Sequence, residues 1–199
     1  INRQVGFDAT QKLNETCLRL TGGQNLDISF EKETSIFLDR YLLMIGGKTA
    51  TLLSASAEIG AITALTSESN QNALRNYGNA LGLAFQAWDD WLGIWGEEEQ
   101  TGKSTSSDLI TGKKSLPILF ALDKGGDFSR IYLSIGANQE NFHELLFLLE
   151  NNGAKEFTEN IAKQYTDIAL KSLEEIQVID QNAFQSLLEL TDLLIKRKN

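Results

Sequence analysis

The 199-residue sequence is poor in residues that interrupt or cross-link a chain: it holds one proline, Pro117, and one cysteine, Cys17. A lone cysteine excludes any internal disulfide, so stability must come from packing. A single proline leaves long stretches free to run as helix, since no other residue type both restricts φ and lacks a backbone donor. Basic residues are also scarce, with 18 Lys and Arg against 27 Asp and Glu for a formal charge of -9. That balance argues against nucleic acid and anionic membrane surfaces as partners, because both require clustered cations, but it leaves small anionic substrates open. No apolar run reaches the roughly 18 residues of a membrane span. The N-terminal INRQVGF lacks the basic-then-apolar order of a signal peptide. The expectation is a cytoplasmic chain with no membrane span.

Apolar residues recur at three-and-four spacing through most of the chain and alternation is rare, which predicts an all-α fold and a single domain over residues 1–199. The spacing predicts a first helix over residues 2–20, with Leu13, Cys17 and Leu20 on a buried stripe and Thr21-Gly22-Gly23 as its break. A second helix is expected from Thr34 toward Ile45. Gly46-Gly47 would interrupt it, and it would resume over 48–65, where Ala50, Ser54, Ala57 and Ala61 allow close helix approach. Ser67 and Ser69 are candidate caps for a helix of about 26 residues, on the order of 39 Å long. Residues 97–112 read as an exposed loop with room for a short helical turn. Ser115 and Pro117 open another helix that ends before Gly125-Gly126, and amphipathic segments follow over 140–151, 154–176 and 182–196.

The stretch GLAFQAWDDWLGIW, residues 82–95, carries the sharpest signal. Leu81, Phe85, Trp88, Leu92 and Trp95 form one face, and Gly82, Gln86, Asp89, Asp90 and Gly93 cluster on another, expected to be polar and uncrowded. Between Arg75 and Glu97 no other residue is charged, so no lysine or arginine one helical turn away can offset the aspartates. Burying an unpaired carboxylate costs several kcal/mol. Paired carboxylates suit Mg²⁺, a hard ion that takes oxygen donors and keeps waters or substrate phosphates in its other positions. The alternative is a solvated face. Lys103 in TGKS and Lys113-Lys114 in TGKKS lie in and just after the loop that leaves this helix, where they could close over an anion. TGKS is not a phosphate-binding GxxxxGK[ST] loop, because Glu97 stands at the position of its first glycine and no strand precedes it.

Taken in order, TGGQNLDI, YLLMIGGKTATLLSASAEIGA, GLAFQAWDDWLGI, TGKSTSSDLITGKKSLPILFAL and the closing LTDLLIKRKN resemble the trans-polyprenyl diphosphate synthases. The resemblance implies an isoprenoid synthase type helical bundle, a homodimer, and head-to-tail condensation of isopentenyl diphosphate with an allylic diphosphate to a short product such as farnesyl or geranylgeranyl diphosphate. It implies Mg²⁺ at Asp89 and Asp90, diphosphate binding by Lys48, Lys103 and Lys113, and stabilisation of an allylic cation by the oxygens of Thr49 and Gln86. Gln24 and Asp27 would support the metal's waters. Bland readings stand beside these: helix-to-helix hydrogen bonds for Thr49 and Gln86, a turn and cap for Gln24 and Asp27, and a solvated neighbour for Lys114. His143 reads as structural or exposed.

Three departures from the family's pattern bear on function. Gly93 stands where its DDxxD segment has a third aspartate, and Ser106 stands where its loop has glycine. The family's first aspartate-rich motif has no counterpart before Gln24, so N-terminal helices of such a bundle are expected to be missing here, and the chain opens on Ile1. These residues alone are expected not to form prenyl diphosphates. Two other readings follow: a non-catalytic partner subunit of a prenyl diphosphate synthase, or a terpene cyclase of the same fold.

Overall fold

The computed structural model describes residues 3–33, 35–96, 107–138 and 140–195. They form ten α-helices and one π-helical turn, and among them there is no β-strand, in agreement with the all-α expectation. In chain order these are α1 (Arg3–Phe30), α2 (Leu38–Ile45), the π turn (Gly46–Ala50), α3 (Thr51–Thr63), α4 (Glu68–Trp95), α5 (Ser107–Ile110), α6 (Leu116–Lys124), α7 (Gly126–Ile135), α8 (Phe142–Asn151), α9 (Ala154–Glu174) and α10 (Gln181–Ile195).

Helix α4 is the axis of the packing. Its N-terminus is capped by Ser67, whose Oγ accepts the Asn70 N–H at 3.3 Å, the commonest solution for an orphan donor in the first turn. Along its length it contributes to all three apolar clusters: Tyr77, Ala80 and Leu81 with Leu173 of α9; Leu83, Trp88 and Trp91 with Tyr41 of α2 and Leu116 of α6; and Ile94 with Leu109, Phe128 and Leu145. Helices α9 and α3 pack along it. The face bearing Gly82 and Gly93 is therefore crowded rather than open. A Cβ on Gly82 would lie 2.8 Å from the Cβ of Ala50.

Four helices differ from the expectations: α2 opens at Leu38 and not near Thr34, α5 buries Asp108 and Leu109 within the stretch expected to be exposed, and α1 and α7 differ as follows. Helix α1 does not stop at Gly22-Gly23 but continues to Phe30. Gly23 is a crossing point, not a terminator: a Cβ there would stand 2.6 Å from the carbonyl carbon of Gly47 in the π turn. The buried face of α1 is Val5, Thr16, Gly23 and Phe30, while Leu13 and Cys17 are exposed. Small residues let α1 approach closely, and this turns the apolar stripe outward. Helix α7 was not expected. It follows α6 with only Gly125 between, and Gly125 and Gly126 both sit at positive φ, which lets the chain reverse before Phe128 is buried. His143 is exposed, with its ring edge-on to Phe142 at 5.0 Å.

Candidate active-site cleft

The crossing of α1 over the π turn sets the first wall of a cleft. One turn beyond Gly23, the Asp27 carboxylate accepts a hydrogen bond from the Lys48 ammonium. Lys48 sits in the π turn, and the next residue, Thr49, reaches the other way. Its hydroxyl donates to Gln86 Oε1 at 2.8 Å. A single π turn interrupts the regular register of a helix and often marks a functional site. Here adjacent residues reach different walls, Lys48 toward α1 and Thr49 toward α4.

The second wall is the end of α4. Gln86 Nε2 donates to Asp90 Oδ1 at 3.2 Å, so Thr49, Gln86 and Asp90 form a hydrogen-bonded chain. Asp90 is 0 % exposed. Its other oxygen accepts from the Tyr41 hydroxyl and from the Leu116 backbone N–H at 2.8 Å. Lys113 Nζ lies 3.5 Å from Oδ1. Burial pushes the Asp90 carboxyl above the usual carboxylate range, against the opposing effects of Lys113, Tyr41 and Leu116. Tyr41 is held well above an ordinary phenol by burial and by the Asp90 charge. Asp89 differs: it is half-buried, lines the cleft, and makes no hydrogen bond or ion pair among the described residues.

The third wall is the segment after α5. Gly112, at φ +70, ends that helix in a Schellman arrangement, with its N–H on the Leu109 carbonyl and the Lys113 N–H on the Asp108 carbonyl at 3.0 Å. This turn brings the Lys113 ammonium back to 2.9 Å from the Asp108 carboxylate. Desolvation favours its neutral form, but Asp90 and Asp108 outweigh that effect and hold its pKa above an ordinary lysine. Lys114, expected to be a solvated neighbour, instead donates to the carbonyls of Phe30 and Glu33. It ties the segment to the C-terminus of α1, where a cation is favoured.

Asp27, Lys48, Gln86, Asp89, Asp90, Lys113 and Lys114 thus border one cleft of about 710 Å³, together with Tyr41. Gln24 is exposed and does not line it. Lys103 and Ser106 lie outside the described residues. Sequence reasoning missed Tyr41 and Asp108. Both lie inside the strings YLLMIGGKTA and TGKSTSSDLITGKKS, and the five-residue spacing of Asp108 and Lys113 is the one local signal that could have found either. Among the described residues no group of three or more Asp, Glu, His or Cys side chains gathers as a metal shell.

The bundle of helices around α4, with its cleft of lysines and carboxylates, is the all-α isoprenoid synthase fold. It matches a polyprenyl synthetase from Streptomyces coelicolor A3(2) with a TM-score of 0.87 at 34% identity, covering 96% of this chain and 60% of that one. It matches a geranylgeranyl pyrophosphate synthetase from Pyrococcus horikoshii with a TM-score of 0.91 at 28% identity, covering 98% and 60%. The chain belongs to the polyprenyl synthetase family, whose model matches residues 2–149. It is 34% identical over 198 residues to a (2E,6E)-farnesyl diphosphate synthase of Mycobacterium tuberculosis, covering 96% of this chain and 55% of that protein. It is 34% identical over 183 residues to a geranylgeranyl diphosphate synthase of Saccharolobus solfataricus, covering 90% and 55%. The chain therefore spans 55% of the length of these curated relatives. Among the described residues no helix is long and apolar enough to cross a membrane.

Proposed function

We propose that these residues form the C-terminal part of a single-domain, Mg²⁺-dependent trans-prenyltransferase that condenses isopentenyl diphosphate with an allylic diphosphate to a short-chain prenyl diphosphate. The observation that carries the reading is the convergence of Lys48, Lys113, Gln86 and Asp89 on one cleft. Relatives named farnesyl and geranylgeranyl diphosphate synthase match 96% and 90% of this chain.

The donor set fits Mg²⁺ in a particular way. Asp90 already serves Tyr41, Leu116, Gln86 and Lys113, so Asp89 is the carboxylate with free capacity. One protein carboxylate is enough for an ion that fills its other positions with water and phosphate oxygens. When bound, Mg²⁺ supplies charge neutralisation to the oxygens of a leaving diphosphate. Lys48 and Lys113, with Lys103, hold the diphosphate as compact point charges. Departure of that group leaves an allylic cation; the double bond of isopentenyl diphosphate attacks it, and loss of a proton completes the head-to-tail bond. Gln86 lines the cleft and presents its oxygen dipole to the cation, and Thr49, which does not line it, backs Gln86 through their hydrogen bond. Their mutual hydrogen bond fixes both orientations in advance, which avoids reorganisation during reaction. Asp27 sets the position of Lys48, and Gln24 acts from outside the cleft.

The same reading makes the protein a cytoplasmic homodimer, inactive when reduced to these 199 residues. Titration with inorganic diphosphate, with and without Mg²⁺, tests the site in the longest natural polypeptide containing this chain. Mg²⁺-dependent binding that is lost in Lys48→Ala and in Asp89→Ala is the expected result. Binding indifferent to both substitutions would return Asp89 to a solvated face.

A further inference from the structure

Gly93 lies one helical turn beyond Asp89, on the same face of α4. A third acidic residue there would complete a stripe of carboxylates, yet the helix offers only hydrogen. The reason is spatial. A Cβ on Gly93 would lie 2.5 Å from Oδ2 and 2.6 Å from Cγ of Asp108, closer than packed atoms approach. The space beside Gly93 is filled by a carboxylate that comes from α5.

Asp108 is only 7 % exposed, and a buried carboxylate requires a partner. That partner is the Lys113 ammonium at 2.9 Å, which also faces Asp90 at 3.5 Å. The Schellman turn at Gly112 fixes the backbone between Asp108 and Lys113. Lys113 is thereby held between one carboxylate from α4 and one from α5, while nearly half of its side chain stays open to the cleft. With Asp90 alone it would keep only the longer of its two contacts.

We propose that Asp108 is a positioning residue for the diphosphate site: it supplies, from α5, the carboxylate that α4 lacks at Gly93, and it acts by holding Lys113 at the cleft. This rests on the prenyltransferase reading for the anion that Lys113 meets. Gly93 is then the residue that makes room for Asp108, and not a lost ligand.

The test is a double-substitution cycle in the longest natural polypeptide containing this chain, with inorganic diphosphate plus Mg²⁺ as probe. Asp108→Asn keeps the size of the side chain and removes its charge. The expected result is an affinity about tenfold weaker with unchanged helicity, a similar loss in Lys113→Met, and no further loss in the double variant, because one residue acts through the other. Unchanged affinity in Asp108→Asn, or losses that simply add, would overturn the proposal. A second cycle reads the packing without any ligand. Gly93→Ala is expected to lower the melting temperature by several degrees in the native background and by far less beside Asp108→Gly. Equal losses in both backgrounds would show that Asp108 does not occupy the space. If the unsubstituted protein binds no diphosphate, the prenyltransferase reading and the role of Asp108 within it both fall, whereas a native second cycle with failed positioning in the first removes only the role of Asp108.

Discussion

The hydroxyl of Tyr41 donates to the carboxylate of Asp90, joining α2 to the end of α4 across 49 residues of sequence. Asp90 is fully buried, so this bond, the Leu116 N–H and the Lys113 ammonium answer the question its sequence neighbourhood leaves open: what offsets a carboxylate with no local cation. Tyr41→Phe removes one donor and little volume. It is expected to destabilise the fold by about 1 to 3 kcal/mol, measured by urea denaturation; a change below about 0.5 kcal/mol would show that the bond contributes nothing net.

The two aspartates should separate experimentally. Asp90→Ala leaves the buried Tyr41 hydroxyl and Leu116 N–H without their acceptor, while Lys113 keeps Asp108, and is expected to cost about 2 to 5 kcal/mol. Asp89→Ala touches no hydrogen bond among the described residues and should cost below about 1 kcal/mol. Comparable losses in the two variants would contradict the division of labour between a supporting and a ligand-facing carboxylate.

Gly23 is where α1 crosses the π turn, and any side chain there meets the backbone of Gly47 and Lys48. Gly23→Ala is expected to cost about 1 to 3 kcal/mol through overpacking. It should also weaken diphosphate binding, since the displaced segment carries Lys48. Ordinary stability in this variant would mean that the crossing is looser than described.

Tyr77 pins α10 to α4: its hydroxyl lies 2.9 Å from Thr191 Oγ1 and donates to the Leu187 carbonyl at 3.2 Å. Burial raises the phenol above its ordinary 10.0, with the Thr191 bond opposing. A folded value above the unfolded one gives stability that is complete below the unfolded pKa and lost as pH rises through the folded one. The stability advantage of the native protein over Tyr77→Phe should therefore shrink over the range in which pH rises past the phenol's ordinary 10.0. A constant difference across that range would contradict the buried setting of the phenol.

The helical architecture was legible because three-and-four spacing survives wherever one face is buried, and α4 with its Ser67 cap followed from that pattern. The cleft was legible in part: Asp27, Lys48, Gln86, Asp89, Asp90 and Lys113 do border one space. Contacts between distant residues were not. Tyr41 to Asp90 and Lys114 to the end of α1 span 49 and 81 or more residues, and no periodicity encodes such pairs. Glycine misled for a physical reason, since the same residue ends a helix at one place and permits close approach at another. Gly22-Gly23 read as a stop, and Gly93 read as a missing ligand; both Gly23 and Gly93 are contact points. The buried stripe assigned to Leu13 and Cys17 failed because small residues, not large apolar ones, face the π turn. Gly93 also lent weight to a non-catalytic partner subunit, and its packing against Asp108 gives the glycine a second, steric reason.

The central claim is prenyl transfer at this cleft. The most direct measurement is incorporation of isotope-labelled isopentenyl diphosphate into an allylic diphosphate by the longest natural polypeptide containing these residues, with products identified by mass. Mg²⁺-dependent formation of a farnesyl or geranylgeranyl diphosphate, abolished in Lys48→Ala, is the predicted result. A folded polypeptide that binds both diphosphates and incorporates no label would contradict it.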